Sequence, residues 1–209
     1  MLPSPNHLIA ELAANGKTRF TVGVLADTHM PYRMKQLPRA VFRAFDEVDL
    51  ILHAGDVDQI DCLQELASLA PLFAVRGNLH FTDLSHGGRD LPVDLQMTIA
   101  GHKVVVTHGG WYGLRSLAAD WFMEKILEPG RKRANQRLAR RLLTLYPQAD
   151  VIVFGHTHKP YRVRQGSTLL FNPGAVCRIR NRALSVGMLY LGPDTIEAEV
   201  LLVPGQEPL

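Results

Sequence analysis

Residues 20–29 read FTVGVLADTH, an almost wholly apolar, β-rich run that breaks at Asp27 into a polar turn. A segment without apolar–polar alternation suits a strand covered on both faces, as in the interior of a parallel sheet. The pattern recurs downstream: residues 49–53, DLILH, stop at Gly55-Asp56, and Leu72–Val75 runs into Gly77-Asn78. Helical spacing fills the gaps, through Leu37, Val41, Phe42 and Phe45, then through Ile60, Leu63, Leu66 and Leu69 until Pro71. Strand, helix, strand, helix, strand predicts right-handed βαβ units and a parallel sheet.

Beyond residue 94 the pattern changes. Leu95–Ile99 and Lys103–Thr107 flank Ala100-Gly101-His102, Tyr161–Gln165 and Thr168–Phe171 flank Gly166-Ser167, and Ala183–Leu191 and Thr195–Val203 flank Gly192-Pro193-Asp194. Each reads as a hairpin. Residues 111–146 have helical spacing broken at Pro129-Gly130, and Asp150–Phe154 is a further buried strand. One α/β domain with two packed sheets, over residues 19–209, is the simplest arrangement. Residues 1–18, with the apolar run Leu8–Leu12 and then Asn15-Gly16, read as a small helical or irregular arm.

The chain has 209 residues, 46% hydrophobic and 21% charged, enough for a sizeable core in an ordinary globular protein. No apolar stretch approaches the roughly 20 residues that span a bilayer, and no signal-peptide pattern is present. Only two cysteines, Cys62 and Cys177, argue against a disulfide framework. A cytoplasmic protein without a membrane partner is expected. The net charge of +3 is mild, but Arg131, Lys132, Arg133, Arg137, Arg140 and Arg141 crowd one stretch, with Leu138, Leu142 and Leu145 on an apolar stripe. Such a face is usually solvated; turned toward a crevice, it would attract nucleotides or nucleic-acid ends.

Seven donor side chains follow the predicted strands: Asp27 and His29 in LADTH, Asp56 in HAGDVD, Asn78 in RGNLH, His108 in VTHGG, and His156 and His158 in FGHTH. The carboxyl edge of an open α/β sheet is where such folds place their sites. Two donors two residues apart point to one side of an extended segment. Any one cluster alone is an ordinary loop or surface histidine; five after five strands are not. Imidazole with carboxylate suits Mn, Fe, Co, Ni or Zn, and seven donors exceed the needs of one tetrahedral ion. Two ions roughly 3.5–4 Å apart and sharing a carboxylate would use them all, an arrangement suited to displacement at phosphorus.

The order D-x-H, G-D, G-N, H, G-H-x-H, over residues 20–203, resembles the calcineurin-like metallophosphoesterase superfamily, and most of all its small bacterial and archaeal phosphodiesterase branch. The resemblance implies a β-sandwich flanked by helices and a phosphodiesterase in which a hydroxide held between two divalent ions attacks phosphorus in line. Manganese would be foremost among the metals, with nickel, cobalt, iron or zinc as alternatives. It implies Asp27, His29 and His158 at the first metal, Asn78, His108 and His156 at the second, and Asp56 as the bridge. NPGAV at 172–176 resembles the family's NPGS turn, with Ala175 in place of Ser, and Arg180 corresponds to a basic residue after it.

One departure stands out. Where the superfamily often has His after Gly-Asn, this chain has Leu79, then His80. The missing histidine would protonate the leaving oxygen or steady the phosphoryl group, a task Leu79 cannot perform and His80 takes up only if the loop shifts. Asn78 can also orient the phosphoryl group. The substrate would be a small phosphate ester or nucleotide, hydrolysed faster when its leaving group is activated, and a homo-oligomer is compatible with the family. His53 reads as core or as support for a ligand; Trp111 and Tyr112 as a pocket wall or as helix packing; His7, His86 and His102 receive no role. A scaffold working through protein contacts on the same fold is the alternative function, and a dinuclear hydrolase of amides or thioesters is a third.

Overall fold

The computed structural model describes residues 7–12, 17–58, 62–78, 91–110, 133–177 and 183–204, with 7–12 and Cys62 as backbone alone. The strands are β1 (His7–Leu12), β2 (Phe20–Leu25), β3 (Leu50–His53), β4 (Leu72–Ala74), β5 (Asp94–Ile99), β6 (His102–Thr107), β7 (Val151–Phe154), β8 (Tyr161–Gln165), β9 (Thr168–Asn172), β10 (Leu184–Leu191) and β11 (Ile196–Val203). The helices are α1 (Arg39–Ala44), α2 (Cys62–Ala67) and α3 (Ala134–Leu145). Among these residues one sheet runs β1-β5-β6-β7-β9-β8 and the other β11-β10-β2-β3-β4.

The centre of each sheet is parallel. β2 pairs β3 and β3 pairs β4 in parallel, as do β6 with β7 and β7 with β9. The three hairpins read from sequence supply the antiparallel pairs β5·β6, β8·β9 and β10·β11. Alternation along the strands sorts the side chains into layers. Val22, Val24, Leu50 and Leu52 of one sheet meet Leu95, Met97, Val104, Val106, Val151, Val153 and Phe171 of the other in a core between the sheets. Leu25, Ile51, Val186 and Met188 point the other way, onto Val41 and Phe45 at α1 and Leu66 of α2. Val105, Ile152, Phe154 and Leu170 face Leu138, Ala139 and Leu142 of α3. The result is a two-sheet sandwich with helices outside both sheets.

Two expectations are corrected. The segment at 7–12 is neither helical nor irregular: it is β1, paired in parallel with β5 from His7↔Asp94 to Leu12↔Ile99. Pairing there satisfies backbone groups that β5 would otherwise leave bare on its outer side, a gain that local helical spacing cannot report. Leu145 lies outside the stripe of α3, with 57% of its surface exposed at the last turn, while Leu138 and Leu142 are buried. The expected break at Pro129-Gly130 lies outside the described residues.

The far strands of the two sheets are tied together. From β8, Arg162 Nη1 donates to Ala198 O, and Arg164 Nη2 donates to Ile196 O at 2.9 Å, both acceptors on β11.

Candidate metal centre

Parallel strands end on the same side. The turns after β2, β3 and β4 therefore share one rim of the sandwich with those after β6, β7 and β9. Backbone hydrogen bonds join these turns: Asp27 N to Gly55 O (2.9 Å), His29 N to Asp56 O (3.0 Å) and Gly155 N to His108 O (3.3 Å). The segment after β9 closes the ring through Val176 N to Ala26 O and Cys177 N to Asp27 O, both 3.3 Å. Left-handed backbone turns the donors inward. Asp27 (φ 55°), His29 (48°), Asp56 (57°), His156 (70°) and His158 (54°) all have it. Asp and His tolerate this region better than most residues, yet it still costs about 1–3 kcal/mol apiece, a cost found mainly at functional sites.

All seven sequence-predicted donors meet at this rim. The ligand atoms of Asp27, His29, Asp56 and His158 lie within 4.8 Å of one another. Asp56 Oδ2 is 3.3 Å from His29 Nε2 and equally 3.3 Å from His108 Nε2. Asp27 Oδ1 is 3.4 Å from His158 Nε2 and 4.0 Å from His108 Nε2. Asn78 Nδ2 lies 2.9 Å from His156 Nδ1, and Asn78 N donates to Asp56 Oδ1 at 2.8 Å. Two glycines make this approach possible: a Cβ on Gly77 would overlap Asp56 Oδ1, and one on Gly110 would overlap Asn78 Oδ1.

The hydrogen bonds fix which ring nitrogens face the centre. His108 Nδ1 lies 2.9 Å from Ala54 O, a carbonyl that can only accept, so Nδ1 carries a proton and Nε2 is the nitrogen turned toward Asp56. His29 Nδ1 is held at 3.2 Å by Asp58 Oδ2, which leaves its Nε2 toward Asp56. His53 accepts from Gly55 N at Nδ1, so its Nε2 donates to Thr28 Oγ1, which in turn donates to Asp56 O, each at 3.2 Å. His53 is thus a neutral brace for the loops. Burial, then the neighbouring His108, depresses it to about 3.

Packed this closely, the buried groups shift one another's protonation. Burial works against a charged His29, but hydrogen bonds to Asp56 and Asp58 outweigh it and raise the imidazole to about 10. Burial likewise opposes a charged His108, yet Asp56 and Asp27 lift it to about 9. Burial raises Asp27, whereas for Asp56 the same burial is overcome by His108 and His29, which hold it well below the usual carboxylate range. His158 is depressed to about 3 by burial and by His29.

Among the described residues, Asp27 Oδ2, Asp58 Oδ1, Asn78 Oδ1, His108 Nε2 and His158 Nδ1 are buried here without a hydrogen-bond partner. Orphaned polar atoms of this kind are rare and costly unless something binds them. Carboxylate, amide oxygen and imidazole are together the donor set of a divalent cation, so the residues fit one.

The support reaches well back into the fold. Asn172 Nδ2 donates to Gly155 O (2.8 Å) and Thr157 Oγ1 (3.2 Å), and its Oδ1 accepts from Gly174 N (2.8 Å). Thr157 donates to Asn135 Oδ1 (2.6 Å), so α3 grips the GHTH turn. Arg141, counted among the basic cluster, donates to Gly109 O (2.8 Å) and Gly110 O (3.0 Å). It braces the His108 loop, while Arg133, Arg137 and Arg140 are exposed.

A model of the calcineurin-like phosphoesterase superfamily domain matches residues 20–192. The chain belongs to that superfamily. It is 34% identical over 180 residues to a probable metallophosphoesterase of Methanothermobacter thermautotrophicus, covering 86% of this chain and 91% of the relative. The fold is similar to that of vacuolar protein sorting 29 from Cryptosporidium parvum (TM-score 0.63, 20% identity, 90% of this chain and 93% of that one). It is also similar to an archaeal phosphodiesterase (TM-score 0.58, 21% identity, 88% and 100%). Membership brings phosphoester hydrolysis as the activity class and divalent cations as its cofactors. No helix among the described residues is long and apolar enough to cross a membrane.

Sequence reasoning left out several residues of this calcineurin-like centre. Asp58 stands two residues beyond Asp56, the spacing that could have revealed it. Thr28, Asn135, Thr157 and Asn172 act through hydrogen bonds that no motif spacing encodes. Cys177 lies with His29 and His158, all three ligand atoms within 4.8 Å, and burial pushes its thiol up to about 12. Leu79, His80, His86, Trp111, Tyr112 and Arg180 lie outside the described residues.

Proposed function

We propose that this chain is a dinuclear, metal-dependent phosphodiesterase. The observation that carries the reading is the place of Asp56: one carboxylate oxygen equidistant, at 3.3 Å, from the Nε2 atoms of two imidazoles that come from different sheets. Asp27, His29 and His158 would hold one ion, Asn78, His108 and His156 the other, and Asp56 would bridge them. When bound, such a pair lowers the pKa of water toward neutrality and offsets charge on the oxygens at phosphorus. By these seven donors alone manganese is the first candidate, and nickel, cobalt, iron and zinc fit them too.

The chain's own residues prepare the site for that chemistry. Ala54 O and Asp58 set the tautomers of His108 and His29, so that a lone pair rather than an N–H faces the centre. His53 and Thr28 hold the Asp56 backbone. Asn78, at the open side, would orient a phosphoryl oxygen through its amide. Leu79 offers no proton to a leaving group, so activated aryl diesters should turn over faster than alkyl diesters by as much as about 10²–10⁴-fold.

The test is a screen of aryl and alkyl phosphodiesters, phosphomonoesters and nucleotides with Mn, Ni, Co and Zn, alongside metal analysis of Asp56→Ala and His156→Ala. Both variants should lose turnover and metal. Full activity in the Asp56 variant would end the bridging assignment. A scaffold on the same fold, for which the likeness to vacuolar protein sorting 29 and Leu79 are the arguments, predicts metal-free, inactive protein instead. The complete donor set favours the enzyme.

A further inference from the structure

The first metal subsite has a neighbour outside the seven donors. Cys177 follows the Asn172–Val176 turn, is 2% exposed and is unpaired in any disulfide. Its sulfur lies with the ring nitrogens of His29 and His158 inside one 4.8 Å group, and the same two histidines form a second such group with Asp27 and Asp56. Its backbone N–H donates to Asp27 O, which pins the residue to the loop that carries both Asp27 and His29. Among the described residues, fully buried Asp27 keeps Oδ2 without a hydrogen-bond partner beside this cluster, and His158 does the same with Nδ1. Burial pushes the Cys177 thiol up, and the nearby Arg33 charge opposes that push without overcoming it.

We propose that Cys177 is a further protein donor to the Asp27–His29–His158 subsite and makes that subsite selective for a thiophilic divalent cation of the zinc type over manganese. The inference rests on the metal-centre reading above and adds its selectivity. Carboxylate and imidazole alone discriminate poorly among these ions; thiolate is the donor that separates zinc from the hard, oxygen-preferring ones. On binding, the S–H proton leaves to solvent and the sulfur lone pair goes to the ion, since a coordinating thiol is deprotonated outright.

Cobalt(II) is the probe. Protein stripped with a chelator and reloaded with Co(II) should show visible d–d bands and a near-ultraviolet sulfur-to-cobalt charge-transfer band. Cys177→Ser should keep the d–d bands and lose the charge-transfer band, while Cys62→Ser keeps both. In competition between zinc and manganese, Cys177→Ser should shift the bound ratio toward manganese by roughly tenfold or more. Bound cobalt with d–d bands but no sulfur band in the wild type overturns the thiolate assignment alone, and needs no variant to fold. Persistence of the sulfur band in Cys177→Ser overturns it equally. Failure to bind any cobalt overturns both this inference and the metal-centre reading.

Discussion

At the level of single residues, the centre is a set of like groups that only a positive charge can hold together. In metal-free protein that charge is protonic. His29 and His108 have folded values near 10 and 9, above the ordinary 6.5. Their stabilisation is therefore whole below about 6.5 and is lost as pH rises through about 9 and then about 10. Metal binding needs the same nitrogens deprotonated, so affinity climbs over that range. Thermal unfolding with chelator should accordingly fall toward alkaline pH, whereas metal-loaded protein should hold or gain; parallel curves would remove the argument. Asp58 tests the orientation of His29: Asp58→Ala should lower metal affinity about 10–100-fold without dissolving the fold, as titration with a competing chelator would report. That these seven side chains would gather at one rim could be read from sequence because each cluster ends an apolar run. Asp58 and Cys177 could not be singled out, since one lacks a strand of its own and the other joins the cluster only through the turn after β9.

At the level of elements, strands and turns divide the work. The parallel strands β2, β3 and β7 were legible because uninterrupted apolar runs report burial on both faces, and the three hairpins, β6 among their arms, because Gly marks their turns. β1 was not, because a six-residue apolar segment looks alike as a helical turn or as an edge strand until its partner is known. The polar struts behind the turns were equally hidden. Asn172 is fully buried and satisfies Gly155 O and Gly174 N at once, so Asn172→Ala leaves buried polar groups unmatched. A loss of about 1–3 kcal/mol is expected. Because Gly155 precedes His156, the same variant should also bind metal more weakly, and chelator titration beside thermal unfolding reads both effects. Unchanged metal affinity would show that the GHTH turn holds its shape without this strut.

For the whole molecule, two sheets that share one rim explain why donors spread from Asp27 to His158 act as a unit: the centre forms only when both sheets have docked. Metal should thus stabilise the complete fold rather than one half of it, by an amount that grows with free metal concentration. The opposite flank carries a different burden. β8 and β11 each end a sheet, and their outward carbonyls would suit a strand from another molecule. Arg162 and Arg164 reach across and occupy two of those carbonyls, on Ala198 and Ile196. Replacing both by Ala should leave the phosphoesterase centre intact while the protein begins to self-associate as its concentration rises, detectable by light scattering. The two guanidinium groups then serve solubility as much as cohesion: they keep the β8 and β11 margins from zipping onto other copies of the molecule.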